Sequence, residues 1–215
     1  MEIAILLYPG LTVLDAVGPY EVLGQLPNAN LRFVAERKGL VRSDGAMSVV
    51  ADYDLSEVSA PNVVVVPGGF GTLAAMNNAA LLEWLKTVHQ TSTFTTSVCS
   101  GSLILAAAGL LKNLKATCHW NYLEQLRQFG AKPTKERVVV QDRIVTAAGV
   151  SAGIDMALRT VQSLAGDEAA KAIQLAIEYD PEPPFKTGSP KTSPPSLVEF
   201  TANNMNKRAF AWTAK

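Results

Sequence analysis

Residues 62–66 place the strongest constraint on what this chain can fold into. The segment contains four consecutive valines and is followed at once by Pro67, Gly68 and Gly69. β-Branched side chains favour extended backbone, and a strand without polar alternation is typical of burial on both faces. Strands of that kind lie in the middle of parallel sheets that helices cover on both sides. The run therefore predicts an α/β fold with a mostly parallel sheet.

The remainder of the chain alternates between short apolar runs and helical patterns, which supports the α/β prediction. Further strands are predicted at residues 3–8, 31–37, 93–98, 138–140 and 143–147, the last two as a hairpin, with an edge hairpin piece at 47–51. Helices are predicted at residues 14–26, with Pro19 in the first turn, and at 81–89, 102–111, 151–165 and 167–179. A serine cap at Ser151 is expected to open one of them.

The C-terminal part has a different composition from the rest. Residues 180–195 contain six prolines and little apolar pattern, so this segment is predicted to be an extended arm. A helix over residues 197–212 is predicted to follow it. A length of 215 residues favours one domain, and we expect residues 1–215 to form a single unit with this arm attached.

Charge and hydropathy exclude several classes of function. Lysine plus arginine equals aspartate plus glutamate, at 19 each, so no net field attracts nucleic acid or anionic lipid. No stretch reaches the roughly 18 apolar residues of a membrane span, and the N-terminal run is too short for a signal peptide. We therefore expect a cytoplasmic protein with reduced cysteines and with neither a nucleic-acid nor a membrane partner.

Three loops are predicted to meet at one edge of the sheet. They are residues 9–19, 67–72 and 98–102, and each follows a predicted strand and precedes a helix. Ligand sites in open parallel sheets lie beyond the carboxyl ends of the strands, where such loops converge. The glycine-rich loop 67–72 lacks the lysine of a P-loop and the glycine spacing of a dinucleotide fold, which disfavours nucleotide binding.

Cys99 gives the sharpest chemical signal. It stands between a β-branched strand and the small residues Ser100, Gly101 and Ser102, which is typical of a nucleophile elbow. The start of the following helix would stabilise a thiolate, because its free N–H groups and its dipole favour negative charge. The alternative is a buried and inert cysteine, which is common in protein cores.

Asp15 is the second candidate, and it lies among apolar residues in the sequence LTVLDAVGP. It is either a helix N-cap or a carboxyl group in a partly apolar cleft near Cys99, where burial would raise its pKa. Only two histidines are present. His89 is predicted to lie on an exposed helix face, whereas His119 is either a pocket residue or a structural one. Cys118 is expected to be a packed core residue.

Several motifs together resemble the ThiJ/PfpI superfamily, a flavodoxin-like group with a cysteine elbow. The resemblance covers nearly the whole chain and rests on Tyr8-Pro9, LDAVGP, VPGGFGT, TSVCSGSLILAAAGLL, ATCHW and AGVSAGID. Within the superfamily, the aspartate, the run SVCSGS, ATCHW and the late segment QLAIEYDPEPPFKTGSP are most similar to the isocyanide hydratases. The resemblance implies a flavodoxin-like sheet with helices on both faces.

The resemblance also implies a set of site residues. Cys99 would add to the terminal carbon of an isocyanide, and Asp15 would act as the general acid and base. Ser100 replaces a threonine whose hydroxyl contacts the aspartate, and the N–H groups of Gly69 and Ser100 match an anion-binding pocket. Val150 matches an aliphatic position that packs against the cysteine helix, and His119 matches a histidine near the cysteine in several relatives.

The resemblance further implies a small-molecule substrate, a homodimer, and neither a metal nor an organic cofactor. Peptidase activity is disfavoured, because the superfamily's proteases place a histidine directly after the cysteine and this chain has Ser100 there. Two alternatives remain open at this point. One is a glyoxalase or deglycase acting on reactive carbonyls, and the other is a non-catalytic ligand sensor or a redox sensor that uses Cys99.

Overall fold

A seven-stranded sheet forms the centre of the molecule in a computed structural model that describes residues 1–213. The eleven strands within these residues are β1 (Glu2–Leu6), β2 (Asn30–Ala35), β3 (Gly39–Arg42), β4 (Ser48–Ala51), β5 (Tyr53–Asp54), β6 (Val63–Val66), β7 (Phe94–Ser97), β8 (Lys115–Ala116), β9 (Lys132–Pro133), β10 (Val138–Gln141) and β11 (Ile144–Ala147). The central sheet has the order β10-β11-β7-β6-β1-β2-β5, and its pairings are parallel except for the β10–β11 hairpin.

The topology confirms the predicted fold class. The five inner strands, taken in chain order as β1, β2, β6, β7 and β11, have the flavodoxin-like order 2-1-3-4-5. All four valines of β6 are fully buried, between β1 on one side and β7 on the other. The strand order reverses between β1 and β6, and a crevice at such a reversal is where parallel sheets bind ligands.

Six helices accompany the strands in the described part of the chain. They are α1 (Val13–Leu23), α2 (Thr72–Ala75), α3 (Ala79–Thr91), α4 (Gly101–Ala107), α5 (Ala152–Ala176) and α6 (Pro195–Thr213). Helix α1 packs on α5, where Gly18 of α1 allows close contact with Ile154 of α5. Gly153 of α5 lies against Val98, which follows β7, and α3 packs on α4. Two short 3₁₀ segments, Leu55–Glu57 and Leu123–Phe129, connect the larger elements.

Several local predictions differ from the structure. Pro19 lies in the middle of α1 and not in its first turn. Ser151 precedes α5, but its side chain makes no capping hydrogen bond. The prediction of two helices at 151–165 and 167–179 is confirmed, because α5 consists of two helical segments that meet at Gly166, whose φ of +86° is non-helical. His89 is half-buried and not exposed as predicted, and its Nδ1 lies 2.8 Å from the Thr95 hydroxyl oxygen.

The edge hairpin predicted around residues 47–51 is not part of the central sheet. Strand β4 pairs with β3 in a separate two-stranded sheet, and β5 is the strand that forms the edge. Helix α4 also ends earlier than predicted, since Gly109 adopts a left-handed φ of +81°. The C-terminal prediction is close to the structure: residues 180–194 are largely exposed and irregular, and α6 follows from Pro195.

No helix in residues 1–213 combines the length and the apolar character that crossing a bilayer requires.

Gly101 marks the closest approach between the cysteine loop and the central strand. A Cβ atom at this position would lie 2.2 Å from the carbonyl oxygen of Val66 and 2.8 Å from that of Pro67. Both atoms belong to the backbone at the end of β6, so neither can move without displacing the strand. The absence of a side chain at Gly101 is therefore what lets α4 begin directly beside the valine strand.

We expect Gly101→Ala to lower the free energy of unfolding by at least about 2 kcal/mol, because the added methyl overpacks a backbone contact. Gly188→Ala is the matched control, since a Cβ there meets nothing within 4 Å. Urea denaturation of both variants measures the difference. Equal stability of the two variants would contradict this account of the loop.

Candidate active site

The three loops predicted to converge do meet at the carboxyl ends of the inner strands. The loop after β1 passes along the loop after β6, where the Thr12 N–H donates to the Gly68 carbonyl over 2.8 Å and the Gly71 N–H donates to the Gly10 carbonyl over 3.0 Å. The Cys99 loop after β7 lies beside them, because the Gly69 N–H donates to the Ser100 hydroxyl oxygen over 3.0 Å. On its other side, the Cys99 N–H donates over 2.8 Å to the carbonyl of Ala148 after β11. Four strand ends therefore border one site.

Asp15 is fully buried in the first turn of α1. Its side chain does not cap the helix, whose N-cap is Thr12. The Gly68 N–H donates to Asp15 Oδ2 over 2.9 Å, while Oδ1 has no hydrogen-bond partner of ordinary geometry within residues 1–213. Burial raises the pKa of Asp15 to about 7, and hydrogen bonds from Gly68 and from the Cys99 thiol oppose that rise. A carboxyl group with this pKa can both accept and donate a proton at neutral pH.

Cys99 occupies a strained elbow. Its φ of +59° lies in the left-handed region, which a residue with a side chain rarely adopts, and it stands in the short connection, residues 98–100, between β7 and α4. Gly68 makes this turn possible, since a Cβ there would lie 2.5 Å from the Ser100 nitrogen and 3.0 Å from Cys99 Cβ. The predicted elbow geometry is therefore present.

The predicted ionisation of Cys99 is wrong for this arrangement. The side chain is only 5% exposed, and burial raises the pKa of the thiol well above its ordinary value. The negative charge of Asp15 raises the pKa further, whereas N–H groups of Val150 and Ser100 act in the opposite direction. The helix start does favour the thiolate, as expected, but desolvation outweighs it. The resting group is therefore a neutral thiol beside a carboxyl group.

Of the two amides predicted to form an anion-binding pocket, only that of Ser100 is directed at the Cys99 sulfur. The Gly69 N–H donates to the Ser100 hydroxyl oxygen over 3.0 Å, so it is committed within the protein. The amides directed at the Cys99 sulfur are those of Val150 and Ser100. Val150 thus contributes its backbone as well as its partly buried side chain, which packs against the core.

The Ser100 hydroxyl does not contact Asp15, which differs from the role implied by the resemblance. It lies 2.8 Å from the Thr72 hydroxyl, which donates in turn to the Gly69 carbonyl over 2.7 Å. Tyr8 completes the network, because its hydroxyl donates to the Pro67 carbonyl and lies 3.2 Å from Thr72. The Ser100 hydroxyl also donates to the Gly69 carbonyl, over 3.4 Å. This network fixes the loop that carries Gly68.

The residues missed by sequence reasoning are Gly68 as the partner of Asp15, and Thr72 and Tyr8 as supports of the loop. Thr72 and Tyr8 stand in two quoted motifs, but no role was assigned to them. A polar side chain inside a run predicted to be buried is the signal that could have found them, because buried hydroxyls require partners.

The His119 side chain is buried against Gly149, which follows β11. Burial lowers its pKa to about 4, so the ring is neutral at pH 7. Its Nδ1 accepts the Asn121 N–H over 3.2 Å, which leaves the proton on Nε2. The ring packs on Gly149, where a Cβ would lie 2.8 Å from His119 Cδ2. Cys118 is buried as predicted, and burial raises its pKa to about 12.

Helix α6 reaches two of the site's loops and the segment that carries His119. The Arg208 guanidinium lies 4.6 Å from the centre of the Phe70 ring, and the Asn121 amide donates to Asn206 Oδ1 over 2.9 Å. The Trp212 indole packs directly on Gly10, where any Cβ would overlap it. Since none of the helix's own residues is fully buried, α6 covers the loops and contributes little to the core.

The chemistry that this arrangement allows is proton transfer coupled to nucleophilic attack. A buried thiol and a buried carboxyl group lie together, with backbone N–H groups directed at each of them. In residues 1–213 no cluster of three or more His, Cys, Asp or Glu side chains is arranged to hold a metal ion.

Comparisons with known proteins agree with this geometry. The DJ-1/PfpI family pattern matches residues 1–163. The isonitrile hydratase of Pseudomonas putida is 38% identical over 199 residues, which cover 93% of this chain and 87% of that protein. A glutathione-independent glyoxalase of Caenorhabditis elegans is 27% identical over 58% of this chain and 68% of its own length.

A solved structure gives the same assignment. A ThiJ/PfpI family protein from Pseudomonas syringae superposes with a TM-score of 0.92 at 42% identity, covering 98% of this chain and 89% of that chain. The superposition includes the arm and α6, which lie beyond the matched family pattern. On both sequence and structure, this chain belongs to the DJ-1/PfpI family.

Proposed function

We propose that this protein hydrates isocyanides to N-substituted formamides, with Cys99 as the nucleophile and Asp15 as the proton carrier. The observation that carries the proposal is the buried pair itself, in which a carboxyl group with a pKa of about 7 interacts with the thiol of a strained elbow. The 38% identity to an isonitrile hydratase supports the choice of substrate. The substrate class is a small molecule with a terminal isocyanide carbon.

The first step forms a covalent adduct. The Asp15 carboxylate removes the Cys99 proton while the sulfur attacks the terminal carbon of R–N≡C. Asp15 then delivers the same proton to that carbon, which gives the thioimidate R–N=CH–S–Cys99. No free thiolate has to persist, and this fits a thiol whose burial disfavours the charged form.

The second step hydrolyses the adduct. The regenerated Asp15 carboxylate removes a proton from water, whose oxygen adds to the thioimidate carbon, and the proton passes to the nitrogen. The tetrahedral species R–NH–CH(OH)–S–Cys99 then breaks its C–S bond, and its hydroxyl proton returns to the sulfur. The sum is R–N≡C plus H₂O giving R–NH–CHO, so the reaction requires no cofactor.

The other predicted site residues support this chemistry from fixed positions. The Val150 and Ser100 amides stabilise negative charge as it develops on the sulfur. The Ser100 hydroxyl and Gly69 N–H belong to the network that holds the Gly68 amide on Asp15. His119 lines the site as a neutral ring and is not assigned as the base.

A glyoxalase-type reaction on 2-oxoaldehydes is the second candidate, and the similarity to the C. elegans glyoxalase favours it. It would use the same thiol but would release a 2-hydroxy acid instead of a formamide. Parallel assays with an aryl isocyanide and with methylglyoxal separate the two reactions. A protein that turns over neither substrate, yet binds ligands or oxidises at Cys99, would instead be a sensor.

A homodimer in the cytoplasm is also part of the proposal. Large apolar side chains lie exposed on the arm and α6, namely Phe185, Phe200 and Phe210. We expect light scattering after size exclusion to give about twice the chain mass of 22.9 kDa. A mass of one chain at micromolar concentration would contradict the dimer.

Replacement of the nucleophile tests the reaction directly. We expect Cys99→Ala to lower formamide formation from an aryl isocyanide by at least about 10³-fold, because no thioimidate can form. The matched control is Cys118→Ala, which removes the other buried thiol and is expected to retain activity within about threefold. Absorbance of the formamide measures both rates. Equal rates for wild type and Cys99→Ala would refute covalent catalysis.

The second catalytic group predicts a pH dependence. We expect kcat/KM of the wild type to rise with pH and to level off above about 7, where Asp15 is ionised and can accept the thiol proton. Asp15→Asn is expected to lower kcat by about 10²- to 10⁴-fold and to abolish this inflection. A profile for Asp15→Asn that keeps both the rate and the inflection would assign them to another group.

The raised pKa of Asp15 also predicts how the stability of the protein changes with pH. The change has the opposite sign to that expected for a salt-bridged aspartate, whose pKa is lowered. Because the folded-state pKa of about 7 exceeds the ordinary 3.8, the stability that protonated Asp15 contributes is complete below about pH 4 and is lost as the pH rises through 7. Relative to the wild type, Asp15→Asn should gain up to about 4 kcal/mol between pH 4 and pH 8 in urea denaturation. The exposed Asp52→Asn should follow the wild type at both pH values.

A further inference from the structure

Tyr122 carries a buried hydroxyl that the proposed mechanism does not use. Its oxygen is out of contact with solvent and has no hydrogen-bond partner of ordinary geometry within residues 1–213. The neighbouring Asn121 amide donates to Asn206 on α6. Buried hydroxyls without partners are rare in native proteins, and each calls for an explanation such as a ligand that completes it.

The hydroxyl belongs to a turn that begins at His119. The Tyr122 N–H donates to the His119 carbonyl over 2.9 Å, and the two rings lie 5.8 Å apart. The His119 ring packs in turn on Gly149, whose neighbour Val150 directs its amide at the Cys99 sulfur. Tyr122 is therefore connected through direct contacts to the wall of the site that flanks Cys99.

Electrostatics agree with that placement. Burial raises the pKa of Tyr122, a hydrogen bond that the Asn121 side-chain amide donates to the phenol oxygen opposes the rise, and a charge on Cys99 or Cys118 adds to it. That bond leaves the phenol proton itself without an acceptor. Interaction with a charge on Cys99 requires proximity in a buried region. The raised pKa also keeps the phenol protonated near neutral pH, so it acts as a donor and not as a base.

We propose that the Tyr122 hydroxyl is a catalytic hydrogen-bond donor to the nitrogen of the adduct that forms on Cys99. The inference deepens the proposed function and rests on it. The nitrogen of a free isocyanide has no lone pair, because its electrons form the triple bond to carbon. Attack by sulfur gives the nitrogen a lone pair in R–N=CH–S–Cys99, and only then does an acceptor exist for the unpartnered hydroxyl.

This timing makes the contact specific to the reacting state. A donor that finds its acceptor only after attack stabilises the transition state and the adduct without strengthening binding of the substrate. It also increases the electrophilicity of the thioimidate carbon before water adds. Loss of the hydroxyl should therefore lower kcat and leave KM nearly unchanged.

The test is steady-state hydration of an aryl isocyanide by wild type, Tyr122→Phe and the control Tyr20→Phe. Tyr20 also loses one phenol oxygen, but its ring stacks on Phe33 at the surface of α1. We expect Tyr122→Phe to lower kcat by about 10- to 100-fold with KM within about twofold, as for loss of one preorganised donor. Tyr20→Phe should retain wild-type values of both.

A second measurement separates loss of the donor from loss of structure. Placing 3-fluorotyrosine in place of Tyr122 retains a hydroxyl of higher acidity, and this protein should keep kcat within about twofold of the wild type. A kcat for Tyr122→Phe within twofold of wild type, a rise in KM alone, or an equal loss in the fluorotyrosine protein would overturn the assignment. A wild type that forms no formamide would instead overturn the proposed function, and the Tyr122 proposal with it.

Discussion

The contact between the Gly68 amide and the Asp15 carboxyl group is the interaction on which the site depends. A fully buried carboxylate with a single backbone donor is costly, so the group is stable only in a form that is partly protonated near pH 7. The cost is tolerated because Asp15 lies on α1, which is held between the sheet and α5. Under the proposed mechanism, this unfavourable burial gives Asp15 a pKa suited to proton transfer near pH 7.

The contact exists because backbones approach one another where side chains would prevent it. Gly68 lies against Ser100, Gly71 against Pro9, and Gly101 against the end of β6, and in each case a Cβ would overlap other atoms. The backbones of the loops after β1, β6 and β7 consequently lie in direct contact with one another. Ser100 and Thr72 fix this surface with hydroxyl bonds, so the elbow strain at Cys99 is held from several sides.

Sequence reasoning recovers the features that depend on hydrophobic pattern and on strand ends. The four valines of β6 are sufficient to predict the parallel sheet, and the sheet predicts which loops meet, so the proximity of Asp15 and Cys99 follows. The direction of individual hydrogen bonds does not follow, since a shift of one residue decides whether Gly68 or Gly69 donates to Asp15. The ionisation of Cys99 was also wrong, because a local motif shows the helix start but not the depth of burial that opposes it.

The neutral thiol is consistent with the chemistry proposed here. The thiol and the carboxyl group lie in one buried site and repel each other when both are charged, so at most one of them carries a negative charge near neutral pH and their titrations are coupled. Attack on an uncharged isocyanide then moves a proton within the pair and adds no net charge to the interior. A permanently ionised thiolate would require solvent or a cation for its stabilisation, and it would also be more readily oxidised. Under the proposed mechanism, coupling of Cys99 to Asp15 therefore lets the buried site form its reactive thiolate only as the isocyanide carbon comes within reach of the sulfur.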